Sequence, residues 1–152
     1  MTRPVLIIGA SMGGLRVAES LRRSGYAGPI VAIGEEEHPP YNRPPLSKEV
    51  LAADVSHEAV AFPLGEAVSD VEWILGRKVD RVDLESQVVT DDLGVEHHYE
   101  ALIIATGLRP RRVDLPGMPK KGTHVIRSLD DAIALRSEIS EGTRVVDRKS
   151  TR

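Results

Sequence analysis

The sequence predicts an α/β fold in which helices cover a parallel sheet and a small antiparallel β-meander is inserted. Three observations predict it. First, an apolar strand at 4–8, a small-residue turn at 9–14, a helical stretch at 15–24 and a second apolar strand at 30–34 follow one another. Second, residues 101–105 form another wholly apolar run, and third, short alternating runs lie between 71 and 99. Strands that are apolar on both faces are typical of parallel sheets covered on both sides, so we expect three layers.

The length and composition limit which kind of protein this chain can be. A chain of 152 residues is one domain by length and forms a real core, and 41% hydrophobic with 28% charged residues is typical of a globular protein. A net charge of −3 and 3% aromatic residues do not indicate a nucleic-acid partner. No apolar run approaches the ~18–20 residues of a membrane span, and the first one is too short for a secretion signal. We therefore expect a cytoplasmic protein without a membrane or nucleic-acid partner.

Cysteine is absent, which excludes a redox disulfide and an iron–sulfur cluster built by this chain itself. Any redox chemistry would therefore need a bound organic cofactor. The five histidines show no metal-ligand spacing. His97 and His98 are neighbours in an expected hairpin, so their side chains point to opposite faces and predict surface residues, not a metal site.

The first turn carries the main binding signal. An apolar strand at 4–8 precedes Gly9, and a helical stretch at 15–24 follows Gly14. Glycines allow backbone N–H groups to approach a pyrophosphate, and a helix start offers free N–H groups and the positive end of the helix dipole. Glu35, about 20 residues further on, is a carboxylate that can accept hydrogen bonds from a ribose. This layout predicts dinucleotide binding.

Ser11 makes the turn ambiguous, because it stands where a glycine is usual in this pattern. The run 9–13 also fits G-x-S-x-G, the nucleophile elbow of α/β-hydrolases. A hydrolase nucleophile needs strands and an oxyanion loop before it, whereas this serine is at position 11. Nucleotide binding is favoured, and a hydrolase with Ser11 as nucleophile is the alternative.

The loop after the second strand is rich in proline. Four prolines within 39–45 fix φ and remove donors, so we expect a stiff, extended segment, followed by a short helix at 48–53 that Ser47 caps. Arg43 and Lys48 would then be fixed cations beside the phosphate site. A rigid surface connector with two solvated cations is the other interpretation.

The middle of the chain predicts a sheet insertion and a return to the main sheet. The runs 71–75, 77–84, 87–90 and 94–99 alternate, with an Asp/Gly turn at 91–94, and indicate an antiparallel meander. The strand 101–105 should be buried and parallel. Since ligands bind beyond the carboxyl ends of parallel strands, the ends of the three apolar strands should converge on one site.

The last part of the chain is less regular. Residues 109–122 are basic and irregular, and 124–127 predict a short strand. Ser128 should cap a helix that begins at Leu129, with Asp131 in the capping-box position. Residues 143–146 are predicted to be the start of a further strand.

Three motifs, in order, resemble one enzyme family. They are Pro40-Tyr41-Asn42-Arg43-Pro44-Pro45-Leu46-Ser47-Lys48, then Ala105-Thr106-Gly107, and His124 to Ala132. Up to Val146 the chain resembles the N-terminal part of FAD-dependent pyridine-nucleotide oxidoreductases. The most similar subgroup is the ferredoxin reductases of the putidaredoxin and rhodocoxin reductase type, with apoptosis-inducing factor as a relative.

The resemblance implies a Rossmann-like FAD/NAD(P)-binding fold. It also implies FAD contacts at fourteen positions: Gly9, Ser11, Met12, Gly13 and Gly14 at the pyrophosphate; Glu35, with Glu36 beside it, at the adenosine ribose; Arg43 and Lys48 towards the pyrophosphate and flavin; Val79 at the adenine; and Ala105, Thr106, Gly107 and Arg127 over the cofactor. No catalytic side chain and no metal ligand are implied.

In such enzymes NAD(P)H gives a hydride to the flavin, which passes single electrons to a [2Fe–2S] ferredoxin that feeds a cytochrome P450 or a dioxygenase. The basic stretch 109–121 would help to dock an acidic ferredoxin, or is a solvated loop.

The resemblance ends after Val146, where the family continues into a second glycine-rich turn for NAD(P)H and this chain has the polar tail 147–152. We therefore expect a truncated form with little activity alone. Its partial FAD-binding domain would span 1–146, with a crossing loop at 108–122 and the start of the connection to a missing NAD(P)H domain at 123–146. A non-catalytic remnant, either nucleotide-binding or inert, is the alternative.

Overall fold

The computed structural model describes residues 2–52, 56–112, 116–117, 119 and 121–146; the predicted tail 147–152 lies outside them. The elements in chain order are β1 (Val5–Ile8), α1 (Met12–Arg23), β2 (Ile30–Ile33), a 3₁₀ turn (Pro44–Ser47), α2 (Glu49–Ala52), a 3₁₀ turn (Glu66–Val68), β3 (Glu72–Ile74), β4 (Val79–Asp83), β5 (Val88–Asp91), β6 (Glu96–His98), β7 (Ala101–Ile104) and α3 (Leu129–Glu138).

The main sheet is parallel, with the strand order β3-β2-β1-β7. Val5 of β1 pairs with Ile30 on one side and with Ala101 on the other. The predicted strands at 4–8, 30–34 and 101–105 are therefore confirmed as one parallel sheet. Its central strand, β1, is buried along its whole length, as a strand covered on both faces must be.

The prediction for one strand is wrong. The alternating run 71–75 predicts a strand of the meander, but β3 pairs in parallel with β2 through Ala32 and Trp73. A three-residue strand has no sequence signal for its partner, because sheet pairing depends on tertiary neighbours. The remaining meander strands are confirmed in the antiparallel order β4-β5-β6, and Gly94, with φ of 78°, lies in the predicted turn.

Alternating side chains of β1 face two different layers. Ile7 packs in a cluster with Leu15 and Ala18 of α1. Leu6 and Ile8 pack on the opposite face with residues of the meander, among them Val89. The three layers are thus α1, the parallel sheet and the meander, as period-2 alternation along a buried strand requires.

β7 is less buried than its apolar sequence predicted. Ala101 is exposed, and Ile104 is 69% exposed. Within the described residues β7 pairs only with β1, so it is an edge strand of the sheet. The apolar run therefore predicted the strand and its parallel pairing correctly, but it did not predict how exposed the strand is.

The proline-rich loop is not extended throughout. Pro44–Ser47 form a 3₁₀ turn with a proline at its start, so Ser47 lies inside that turn and α2 begins at Glu49. The φ angle that proline imposes also suits the first residue of a helix, so the prolines favoured a tight turn here.

The capped helix near the end is confirmed. In α3 the Ser128 side chain accepts from the Asp131 N–H, and the Asp131 carboxylate accepts from the Ser128 N–H. The strands predicted at 124–127 and 143–146 are wrong, since neither segment pairs with another strand in the described residues. A strand needs a neighbour to complete its backbone hydrogen bonds. In the described part of the chain, no helix has the length and apolar character needed to cross a membrane.

Candidate functional site

A cleft lies at the carboxyl ends of β1, β2 and β7, where the sequence predicted the strand ends to converge. Its lining combines backbone turns with polar side chains. It is lined by Gly9, Ala10, Ser11, Gly34, Glu35, Glu36, His38, Tyr41, Arg43, Ala105 and Thr106. The structure thus brings together half of the predicted site positions, namely Gly9, Ser11, Glu35, Glu36, Arg43, Ala105 and Thr106.

Two glycines allow the turn after β1 to fit between its neighbours. Gly9 has φ of +120°, and a Cβ there would lie 2.2 Å from the Ala105 carbonyl oxygen. A Cβ on Gly14 would lie 2.0 Å from the Gly9 carbonyl oxygen. These contacts would force the backbone apart, so both glycines are required for close packing. Gly13 has no such requirement, because its Cβ would lie 3.6 Å from the Ala105 Cβ.

Helix α1 begins at Met12, three residues earlier than predicted, with Ser11 as its N-cap. The Ser11 side chain makes no capping hydrogen bond, and the first turn holds no acidic residue. The N–H groups at this helix start are therefore not capped by the Ser11 side chain. Together with the helix dipole, they make the end of the cleft favourable for an anion.

Arg43 connects three parts of the site. Its Nη2 donates to Ser11 Oγ at 3.1 Å and to Glu36 Oε1 at 2.5 Å. Its Nη1 donates to the Arg127 carbonyl oxygen at 2.7 Å. The guanidinium also lies 5.0 Å from the centre of the Tyr41 ring. This half-buried cation is thus held at the cleft by contacts from the α1 start, the β2 end and the α3 start.

Tyr41 lines the cleft, although its position in the proline-rich motif predicted no role for it at the site. It is 2% exposed and donates to Glu36 Oε2. Burial, together with the hydrogen bond to Glu36, raises the pKa of Tyr41, so the phenol stays protonated. The signal that could have identified it is an aromatic residue within a proline-fixed loop, where one conformation can be held.

His38 also lines the cleft without having been predicted. Its Nε2 lies 3.0 Å from Asp130 Oδ1, and its ring stacks on His57 with centroids 5.8 Å apart. Within the part of the chain that the structure describes, no group of three or more His, Asp or Glu side chains could hold a metal ion.

The two adjacent carboxylates behave differently. Glu35 is exposed, and its Oε2 lies 3.6 Å from Arg109 Nη2, an exposed pair that contributes little stability. Glu36 is turned inward, where it accepts from Tyr41 and Arg43. The sequence placed both at a ribose; the structure leaves only Glu35 open towards solvent.

The other seven predicted positions do not line the cleft: Met12, Gly13, Gly14, Lys48, Val79, Gly107 and Arg127. Gly14 is buried under the turn, and Val79 packs against the core cluster on the meander side. Gly107 and Arg127 lie next to each other, since a Cβ on Gly107 would be 3.1 Å from Arg127 Nη2. Their roles towards a cofactor stay predictions.

Residues 3–146 match the family described as pyridine nucleotide-disulphide oxidoreductase. The chain belongs to this family. Its members are FAD-dependent NAD(P)H oxidoreductases, and the resemblance drawn from the three motifs is confirmed. The sequence has no cysteine, so it supplies no disulphide of the kind in the family's name.

Among the relatives of this pyridine nucleotide-disulphide oxidoreductase chain is the ferredoxin–NAD(+) reductase component of a p-cumate 2,3-dioxygenase system from Pseudomonas putida. It is 38% identical over 139 residues, which cover 91% of this chain and 35% of the relative. Rhodocoxin reductase from Rhodococcus erythropolis is 35% identical, with 93% of this chain and 34% of the relative covered. The chain therefore spans about a third of the length of these curated relatives.

Solved structures agree with the predicted Rossmann-like fold. The ferredoxin reductase for the CYP199A2 system from Rhodopseudomonas palustris has a TM-score of 0.80 and 34% identity, covering 90% of this chain and 34% of that one. The reductase in a covalent putidaredoxin reductase–putidaredoxin complex has a TM-score of 0.78 and 29% identity, covering 90% and 34%.

The hydrolase alternative is wrong. The chain is an oxidoreductase family member, and the Ser11 hydroxyl accepts from the Arg43 guanidinium at 3.1 Å. A permanently charged donor does not remove a proton from a nucleophile. Ser11 is a small N-cap residue at the turn.

Proposed function

We propose that this chain is the FAD-binding part of an oxidoreductase of the NAD(P)H:ferredoxin reductase type. The observation that carries the proposal is the position of Arg43. Its guanidinium lies between Ser11 at the start of α1 and Glu36 beyond the end of β2, inside the cleft formed by the parallel strand ends.

The donor set of the cleft fits a dinucleotide. The start of α1 and the Arg43 guanidinium supply N–H donors and positive charge for a diphosphate. Glu35 supplies an exposed carboxylate for ribose hydroxyls at the end of the neighbouring strand. Gly9 lets the backbone turn tightly under the diphosphate.

The other predicted contacts complete the proposal around this centre. Lys48 and Arg127 would face the flavin side, Val79 the adenine side, and Thr106 with Gly107 would close over the cofactor. FAD, when bound, would supply the redox chemistry, because a flavin can accept two electrons together and release them one at a time. The chain's own residues bind and orient it, and none is proposed as a proton donor.

The electron acceptor in this proposal is a [2Fe–2S] ferredoxin. The support comes from the relatives' names, which include ferredoxin–NAD(+) reductase components and a reductase in complex with putidaredoxin. The NAD(P)H site is not assigned to any residue of this chain. The domain assignment of 1–146 and the cytoplasmic location stay predictions.

FAD binding to the full chain tests the proposal. Quenching of flavin fluorescence on titration should give saturable one-to-one binding. Arg43→Gln should weaken it about tenfold or more, since charge-assisted hydrogen bonds contribute about 1.5–3 kcal/mol. Arg81→Gln is the matched control, because the Arg81 side chain is 76% exposed on β4 and makes a long pair with Asp83.

A folded chain that does not bind FAD would overturn the proposal and support the remnant alternative. Equal FAD affinity of Arg43→Gln and the unaltered chain would overturn the central role of Arg43.

A further inference from the structure

Asp91 is the one buried charged residue among the described positions, and the proposed FAD contacts do not use it. Its side chain, at the end of β5, is 1% exposed. Its carboxylate accepts from the N–H groups of Leu93 and Val95, both at 3.0 Å, and lies 3.0 Å from His97 Nε2. These contacts hold the β5–β6 turn, and one further contact of Asp91, an ion pair, leads out of that turn.

That contact is Arg77. Its Nη2 lies 2.5 Å from Asp91 Oδ1, and its Nε donates to Asp92 Oδ1 at 2.9 Å. The Arg77 side chain is 18% exposed. The Arg77 guanidinium thus makes one hydrogen bond, to Asp92, and one ion pair, with Asp91, through different nitrogens, and together they restrict its orientation more than a single ion pair would.

The backbone beside this guanidinium is bonded to the loop that carries the cleft carboxylates. The Arg77 N–H donates to the Gly34 carbonyl oxygen at 2.8 Å, and the Gly76 N–H donates to the Glu36 carbonyl oxygen at 2.9 Å. Both bonds flank Glu35. The path therefore runs from Asp91 in the meander, through Arg77, to the residues on either side of Glu35.

We propose that Arg77 and Asp91 are positioning residues that fix the loop 34–36, and thereby Glu35, for the adenosine half of the dinucleotide. This inference rests on the proposed function for the identity of the ligand. Neither side chain lines the cleft, so their effect on binding would act through the loop. Fixed support of this kind holds binding groups within the narrow geometry that affinity needs.

A double-mutant cycle on the full chain tests this. Asp91→Asn and Arg77→Gln should each weaken FAD binding about tenfold. This is the low end of the loss in affinity that follows when a residue supporting a binding group is removed. The double variant should bind no more weakly than either single variant, because the two residues act through each other. In the same proteins without FAD, amide exchange of Gly76, which bonds Glu36, should accelerate.

Asp83→Asn is the matched control. Asp83 accepts from the N–H groups of Glu85 and Ser86 in the turn after β4, so it caps a meander turn without contacting Arg77. It should leave FAD affinity and Gly76 exchange unchanged. Equal losses in Asp83→Asn and Asp91→Asn would show a general effect of meander stability and overturn the proposal, as would additive losses in the cycle.

If Asp91→Asn does not fold, the variant Arg77→Lys tests the proposal instead. Lysine keeps the charge beside Asp91 but lacks the fork that also contacts Asp92, so FAD affinity should fall about two- to fivefold. Unchanged affinity and Gly76 exchange would overturn the proposal. If the unaltered chain does not bind FAD, the proposed function fails, while Gly76 exchange still decides whether Asp91 and Arg77 fix the loop.

Discussion

The Tyr41 hydroxyl accepts a hydrogen bond from the backbone N–H of Leu129 at 2.9 Å, although 88 positions separate the two residues. The same hydroxyl donates to Glu36. One buried phenol thus joins the loop after β2 to the start of α3, and it places the Arg127 segment beside the cleft.

This relationship predicts that Tyr41→Phe destabilises the fold. The change leaves the buried Leu129 N–H without its acceptor and Glu36 without one donor, so the free energy of unfolding should fall by about 1–3 kcal/mol. Urea denaturation followed by circular dichroism measures it. Tyr26→Phe is the control, because the Tyr26 hydroxyl donates to Glu100 in an exposed pair, and it should cost less. Equal costs would contradict a special role for the Tyr41 hydroxyl.

The two neighbouring glycines at the start of α1 should respond oppositely to alanine. Gly14→Ala places a Cβ 2.0 Å from the Gly9 carbonyl oxygen, so it should destabilise the chain by about 1–3 kcal/mol through overpacking. Gly13→Ala meets only ordinary contacts and should stabilise it by about 0.5–1 kcal/mol through helix propensity. Thermal or urea unfolding of both variants checks the split, and a destabilised Gly13→Ala would refute it.

Substitutions at Glu35 and Glu36 should have different effects, one on FAD binding and the other on the stability of the fold. Glu35→Gln removes an exposed carboxylate whose pair with Arg109 contributes little to folding, about 0–1 kcal/mol. It should weaken FAD binding with no measurable change in unfolding. Glu36→Gln removes the charge that pairs with Arg43 and one of the two oxygens that accept from Arg43 and Tyr41, so it should lower the unfolding midpoint. The two variants are compared by FAD titration and denaturation, and a stability loss in Glu35→Gln would contradict the assignment.

Asp91 should make part of the stability depend on pH. Burial alone raises its pKa, but hydrogen bonds from His97, Val95 and Leu93 and the charge of Arg77 outweigh burial, so the pKa is lowered overall. Nearby Asp92 is the other acid in this cluster, and Arg77 bonds it as well. A lowered folded-state pKa means that ionised Asp91 stabilises the fold above its unfolded pKa of about 3.9.

That contribution is lost as pH falls through the lowered pKa of Asp91. The stability difference between the unaltered chain and Asp91→Asn should therefore shrink as the pH falls below about 5. Urea denaturation at a series of pH values measures the difference. A difference that stays constant down to the lowest pH would show that the Asp91 charge does not contribute.

Several features of the fold could be predicted from the sequence because they depend on local patterns. The apolar runs identified β1, β2 and β7, the small residues identified the turn from Gly9 to Gly14, and Ser128 with Asp131 identified the start of α3. Each signal lies within a few residues of the feature that it predicts. The proline motif identified the family for the same reason, and Arg43 within it is at the cleft.

Other features required the tertiary structure because they depend on pairing between distant segments. β3 joins the parallel sheet only because β2 offers it an edge, and the strands predicted at 124–127 and 143–146 lack such a neighbour in the described residues. Tyr41 and Asp91 look like ordinary loop and hairpin residues in the sequence. Their burial arises when Leu129 and Arg77 meet them across the fold, and contacts of that separation leave no local pattern.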